Sequence, residues 1–169
     1  MDAIEAILSR RSIRKYTTET VPRDVIEQLL KAAMSAPSAS NAQPWHFVAI
    51  DDRLILEKIT EFHQHSSMLR EAALAIAVCG DLKSEISEGF WVQDCSAATQ
   101  NILIAANAKG LGAVWLGCYP RAQRVEGIQN LLGLPDHIIP LSLISIGYPI
   151  EKKPHARRYN PSKIRYNHW

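Results

Sequence analysis

The sequence predicts a single-domain protein of the α+β class, in which helices and strands alternate along the chain. Its 169 residues suffice for one hydrophobic core and lie within the usual size of one domain. With 47% hydrophobic and 21% charged residues, the composition is that of an ordinary globular protein. We therefore expect one domain over residues 1–169, of which residues 149–169 form a C-terminal arm.

The first third of the chain is predicted to hold two helices and a loop. Apolar residues recur at helical spacing in residues 2–9, and again in a segment that begins near Pro22 and ends near Met34. Pro22 suits the first turn of a helix because that position needs no backbone donor. The segment 36–44 cannot continue the helix, since it combines two prolines with short polar residues.

Strands and a third helix are expected next. Residues 45–50 have the composition of a strand, and Asp51-Asp52 can open a helix that runs through Leu54, Ile55 and Ile59. The run 73–80 is short, apolar and closed by Gly80, which favours a buried strand. Periodicity alone does not distinguish such a strand from a buried helix.

The longest predicted helix covers residues 88–109. Apolar or small residues occupy more than one of its sides, so the helix is expected to be buried nearly all round. Its polar residues interrupt it too often for a membrane span. In one small domain, such a helix needs either a central place in the core or a partner subunit.

The remaining segments continue the alternation. Residues 113–116 are predicted to form a strand, residues 121–132 a helix that Gly133 ends, and residues 141–146 a last strand. No internal repeat, low-complexity run or linker is found.

Three arginines stand within five residues near the N-terminus. Arg10, Arg11 and Arg14 flank Ser12, and together they form a compact set of forked donors suited to a phosphate dianion. A solvated basic turn would give the same pattern. The cluster alone does not decide between the two.

The proline-flanked loop is the second candidate for a binding site. Ser38, Asn41 and Gln43 lie behind Pro37 and could hydrogen-bond the polar edge of a planar heterocycle. Taken without the arginines, an ordinary turn rich in Asn and Ser explains these residues equally well.

Together, at this spacing, the two segments resemble the nitroreductase family of FMN-dependent oxidoreductases. RRSIRKY and APSASNAQPWHF stand near the N-terminus, GLGAVWLG in the middle, and LLGLP followed by IGYP near the end. Separate motifs in this order are more specific than one short match. The resemblance implies a three-layer α/β/α fold with a mixed central sheet, and places the long helix 88–109 at a dimer interface.

The resemblance also implies a set of residues that bind FMN tightly and without a covalent bond. They are Arg10, Arg11, Ser12, Arg14, Pro37, Ser38, Asn41, Gln43, Trp115, Leu116, Gly117 and Arg158. The arginine turn would hold the phosphate and the pyrimidine side, and Arg158 would add a phosphate contact. Residues 115–117 would lie beside the isoalloxazine ring. The loop 37–43 would serve the flavin of the neighbouring subunit.

The implied activity is ping-pong transfer of hydride from NAD(P)H through FMN to an organic acceptor. The acceptor could be a nitroaromatic, a quinone or an enone, and no catalytic side chain is assigned because the flavin carries the chemistry. Two alternatives stay open. One uses the reduced flavin with oxygen, including fragmentation of FMN, and the other is a non-catalytic flavin-binding module.

Other patterns do not indicate further sites. Gly110-Leu-Gly112 lacks a third glycine at the dinucleotide-fingerprint spacing. His63 and His65 are two residues apart and would not share a helix face, so we expect surface residues and no metal. The three cysteines are expected to be reduced thiols, and Cys118 a small buried residue.

The distribution of charge and the absence of targeting patterns limit which partners and which location are expected. The tail from residue 149 carries six basic residues against one acidic residue, a balance that would suit nucleic acid, a membrane surface or a phosphate ligand. The body is acidic and has no nucleic-acid fold signature, so neither a nucleic-acid nor a membrane partner is expected. No signal-peptide pattern is recognised, and a cytoplasmic location is expected.

Overall fold

The computed structural model describes residues 1–169 and contains five α-helices and four β-strands. The helices are α1 (Ala3–Ser9), α2 (Arg23–Met34), α3 (Arg53–Phe62), α4 (Trp91–Ala108) and α5 (Ala122–Leu132). The strands are β1 (Trp45–Ile50), β2 (Leu74–Asp81), β3 (Gly112–Gly117) and β4 (Ile138–Gly147). The α+β class is confirmed, and the largest difference from prediction is the earlier start of β4.

Local sequence signals explain several of the helix ends. The carboxylate of Asp52 caps α3 by accepting hydrogen bonds from the backbone N–H groups of Leu54 and Ile55. Gly133 ends α5 in the left-handed conformation, with φ of 64°. Pro22 stands one residue before α2, at its N-cap, rather than in the first turn. None of the helices combines the length and apolar character that crossing a bilayer requires.

The four strands form one sheet in the order β1-β2-β4-β3, and every neighbouring pair is antiparallel. The sheet was expected to be mixed. Parallel pairing is confined to one isolated bridge, between Ser12 and Ala113. This bridge fixes the arginine segment against the edge strand β3, since the backbone N–H of Ile13 donates to the carbonyl of Ala113 at 3.0 Å.

Helices cover both faces of the sheet, which gives the three layers that the resemblance implied. Every residue of β2 is buried, and successive side chains point to opposite faces. Ile76 joins a core shared with α2 and α4, whereas Ala77 joins a core shared with α3 and α5. The apolar run 73–80 is therefore a strand that lies between two hydrophobic layers.

Helix α4 is the central helix, and its two ends contact two different segments, the loop 37–43 and α1. Within it, Gln93 and Ala108 are the exposed residues. Near its N-terminal end, the Asp94 carboxylate accepts a hydrogen bond from the backbone of Ala39 at 2.9 Å. Near its C-terminal end, the Asn107 amide donates to the carbonyl of Ala6 in α1 at 3.0 Å. At 1.5 Å rise per residue, these ends are about 20 Å apart.

Candidate active site

Four arginines line one cleft at the end of α1, which we call the arginine cleft. Arg10 and Arg11 follow α1 directly, whereas Arg157 and Arg158 come from the C-terminal arm. The cleft has a volume of about 360 Å³, and no Asp or Glu is among the residues that line it. The structure thus brings three of the predicted phosphate ligands together and adds Arg157, which the sequence analysis missed.

The arginine cleft carries unpaired positive charge. The Arg11 side chain is held by the carbonyl of Pro154, which accepts from Nε at 2.7 Å. Its Nη2 is buried and has no hydrogen-bond partner. Burial, then the neighbouring Arg158 and Arg11, lowers the pKa of Arg10. An anion would satisfy the free donor and offset this repulsion, so the residues present fit a phosphate dianion.

A second cleft, of about 470 Å³, lies beside the end of β3, and we call it the β3 cleft. Arg14 and the predicted ring-side residues Trp115, Leu116 and Gly117 line it together. A Cβ atom built on Gly117 would meet nothing within 4 Å, so the glycine leaves open space in the cleft. The structure therefore separates Arg14 from the other arginines and places it with the ring-side residues.

Ser12 stands between the two clefts and lines neither of them. Its side chain is half-buried, and its backbone carbonyl accepts a hydrogen bond from Lys153 Nζ at 2.6 Å. The arm is thus fastened to the arginine segment at Ser12 as well as at Arg11.

The carbonyl of Gly117 is held by two side chains that the sequence analysis did not predict. His63 Nε2 lies 3.0 Å from this oxygen, and Arg124 Nη1 donates to it at 2.8 Å. For the His63 ring to donate, its proton must sit on Nε2, which leaves Nδ1 as an acceptor. This Nδ1 is buried and has no partner.

The expectation that His63 is a surface residue was wrong. Helix α3 ends at Phe62, and the extended backbone of His63 turns its ring inward, where only 1% of the residue is exposed. Burial is the main cause that lowers its pKa, and the nearby Arg124 lowers the pKa further. His63 is therefore neutral near pH 7.

The loop 37–43 is a rigid turn that projects into solvent. Its side-chain hydrogen bonds are internal: Ser38 Oγ accepts from the Gln43 backbone, and Asn41 Oδ1 accepts from Gln43 Nε2, each at 3.0 Å. Ser40, Asn41 and Gln43 all have φ between 50° and 53°. Pro37, Asn41 and Gln43 are exposed, so the polar edge of the loop is available to a ligand or partner.

The loop does not join either cleft within one chain. It contacts Asp94 at one end of α4, whereas α1 and the arginine cleft lie at the other end. No residue from 37 to 43 lines the arginine cleft or the β3 cleft. Eleven of the twelve predicted site residues are thus divided between the two clefts and a separate loop, and Ser12 lines neither cleft.

The cysteines and two of the tryptophans belong to the core. Cys118 is fully buried, lines neither cleft, and burial raises its pKa to about 12. Trp45 and Trp91 lie in the core between the sheet and α4. Trp91 packs edge-on against Tyr119, with ring centroids 4.9 Å apart. These residues have structural roles.

Comparison with known proteins identifies the family of the chain. The sequence matches the model of the nitroreductase family over residues 7–148. It is 50% identical, over 100% of this chain and 88% of the relative, to a protein assigned as NADH dehydrogenase/NAD(P)H nitroreductase in Methanothermobacter thermautotrophicus.

Solved structures give the same result. A protein of the same designation from Parabacteroides distasonis is 43% identical and superposes with a TM-score of 0.95 over 99% of this chain and 98% of the other. A nitroreductase from Desulfovibrio desulfuricans, solved in complex with FMN, is 30% identical with a TM-score of 0.87, over 100% and 98% of the two chains. The chain belongs to the nitroreductase family.

Proposed function

We propose that this protein is an FMN-dependent oxidoreductase that takes electrons from NAD(P)H and passes them to an organic acceptor. The observation that carries the proposal is the arginine cleft, where four arginines and no carboxylate line one space. The FMN bound in the Desulfovibrio relative supports the same cofactor. When bound, FMN supplies the two-electron redox chemistry, and the protein binds and orients it.

The arginine cleft would hold the FMN phosphate. Arg10 and Arg11 line the cleft from the main body, and Arg158 lines the same space from the arm. Forked donors suit the phosphate oxygens, and the buried Arg11 Nη2 would gain the partner that it lacks. Binding would therefore fasten the arm to α1 as well as the cofactor to the protein.

The β3 cleft would hold the flavin ring. Arg14 places a positive charge there, which stabilises negative charge that develops as electrons arrive. His63 and Arg124, which also line the cleft, both bind the Gly117 carbonyl and so hold this peptide in place beside the ring. Trp115, with 36% of its surface exposed, adds an apolar side.

We infer a homodimer in which each loop 37–43 serves the partner's flavin. The loop and the arginine cleft lie at opposite ends of α4, about 20 Å apart, so a two-fold axis crossing α4 would bring one chain's loop towards the other chain's arginine cleft. Exposed apolar residues on α1, such as Ile4 and Leu8, and at the end of the arm, such as Trp169, would be covered in the same assembly. Sedimentation of the flavin-loaded protein as a monomer would contradict this inference.

The acceptor would be a flat organic molecule such as a nitroaromatic, a quinone or an enone. The β3 cleft is open to solvent, and no lining carboxylate restricts what enters it. Such a site selects by access to the ring more than by specific hydrogen bonds.

The visible spectrum of the purified protein tests the proposed cofactor. We expect a yellow protein that releases FMN on denaturation and, when loaded, oxidises NAD(P)H rapidly with a nitroaromatic or quinone in the absence of oxygen. A colourless protein that takes up no FMN would overturn the proposal. Turnover that requires oxygen and is not increased by either organic acceptor would replace it with an oxygen-using activity.

A further inference from the structure

A third cleft, of about 450 Å³, opens where α5 begins, and we call it the α5 cleft. Its lining shares Gln64, His65 and Arg124 with the β3 cleft, so the two clefts adjoin, and we call them together the groove. Arg121 and the half-buried ring of Phe62 complete its walls. The groove thus extends from the proposed ring site to the start of α5.

The α5 cleft is cationic and has free donors. None of the residues that line it is acidic, and neither ion pair of the structure involves Arg121 or Arg124. One guanidinium nitrogen of Arg124 is occupied by the Gly117 carbonyl, which leaves its other N–H groups available. The exposed Arg121 makes no side-chain hydrogen bond.

A further observation concerns the adjoining β3 cleft, where the nicotinamide would lie. His63 lines the β3 cleft, is 1% exposed, and has a buried Nδ1 without a hydrogen-bond partner. An unpaired acceptor in a buried wall is uncommon unless a ligand or water completes it.

We propose that the α5 cleft binds the 2′-phosphate end of NADPH, so that the enzyme uses NADPH in preference to NADH. The proposal rests on the proposed function, which places the nicotinamide over the flavin in the adjoining β3 cleft. In Rossmann folds, which this chain does not have, a carboxylate binds the adenosine ribose hydroxyls of NADH and an arginine accommodates the 2′-phosphate of NADPH; the same pairing of guanidinium with phosphate is available here. This cleft has two arginines and no carboxylate, and Phe62 offers a flat apolar side for the adenine.

Calorimetric titration with adenosine nucleotides tests the proposal. Adenosine 2′,5′-bisphosphate and 5′-AMP differ by the 2′-phosphate alone, and the full chain is used with excess FMN so that the arginine cleft is filled. We expect the bisphosphate to bind more tightly by about tenfold or more, as one charge-assisted contact implies. Arg121→Gln should remove most of this difference. Arg23→Gln, an exposed arginine on the opposite face of the sheet, should retain it.

Equal affinity for the two nucleotides, or an unchanged affinity in Arg121→Gln, would overturn the proposal. Kinetics give a second measure: Arg121→Gln should raise KM for NADPH and leave KM for NADH unchanged, with the same FMN content. If the wild-type chain takes up no FMN, the proposed function fails separately. The titration then still tests the α5 cleft, with Arg10→Ala excluding binding in the arginine cleft.

Discussion

Replacement of Arg10 with alanine should separate the binding of the FMN phosphate from the binding of the flavin ring. Arg10 lines the arginine cleft with Arg11 and Arg158, whereas Arg14 lines the β3 cleft. Riboflavin carries the same ring as FMN but no phosphate. Arg10→Ala should therefore weaken FMN and leave riboflavin almost unaffected.

The expected size follows from the contact that is lost. A hydrogen bond from a charged donor to phosphate contributes about 1.5–3 kcal/mol, which corresponds to a roughly 10- to 150-fold weaker Kd for FMN. The same substitution should not lower the stability of the flavin-free protein by a similar free energy. Burial, Arg158 and Arg11 already disfavour the Arg10 charge, as its lowered pKa indicates, so its removal relieves repulsion. We expect the free energy of unfolding of the flavin-free variant to be unchanged within about 0.5 kcal/mol, or higher.

Quenching of flavin fluorescence on titration into flavin-free protein gives both affinities, and urea denaturation gives the stability. Arg14→Ala is the matched control, because its loss from the ring side should weaken FMN and riboflavin by similar factors. An Arg10→Ala protein that binds FMN as tightly as the wild type would refute the phosphate assignment. Equal weakening of the two flavins would instead place Arg10 at the ring.

Three further predictions concern the folded chain. Burial lowers the pKa of His63 from 6.5, so the unfolded chain binds its proton more readily and the free energy of unfolding should decrease as the pH falls below 6.5. His63→Gln should reduce this dependence of the free energy of unfolding on pH, measured by urea denaturation at several pH values, and an unaltered dependence would argue against a buried His63. Gly80→Ala should lower the free energy of unfolding, measured by urea denaturation, by roughly 1–3 kcal/mol because its new Cβ would overlap the Trp91 ring. Wild-type stability would mean that the ring moves freely. Burial raises the pKa of all three cysteines to about 12, so iodoacetamide at pH 8 should label the native protein far more slowly than the urea-unfolded chain; equal rates, measured by mass spectrometry, would show that the thiols are accessible.

The secondary structure could be predicted because its signals are local. An aspartate at residue 52 caps α3, and a glycine at residue 133 can adopt the left-handed conformation that ends α5. The run 73–80 was ambiguous because burial on both faces depends on two helical layers from distant parts of the chain. Its assignment as a strand required the neighbours that only the folded chain supplies.

The grouping of the site residues could not be predicted, because it depends on where distant segments meet. Arg11 binds the carbonyl of Pro154, and Arg124 binds the carbonyl of Gly117 from a neighbouring helix. His63 is different, because it stands seven and four residues after the buried Leu56 and Ile59, and this helical spacing was a signal for its burial. Motif order identified the segments of the site, but not which residues share a cleft.

The backbone of the loop 37–43 gives an independent argument that the site extends beyond one chain. Ser40, Asn41 and Gln43 adopt left-handed backbone conformations, which cost about 1 kcal/mol or more for a residue other than glycine. Asn tolerates this conformation, but Ser and Gln have no such preference. A connection that only had to join α2 to β1 could use glycine or a relaxed turn. The exposed polar edge that this backbone presents has no contact with either cleft of its own chain, so the strain is explained if the loop completes the site of a second copy.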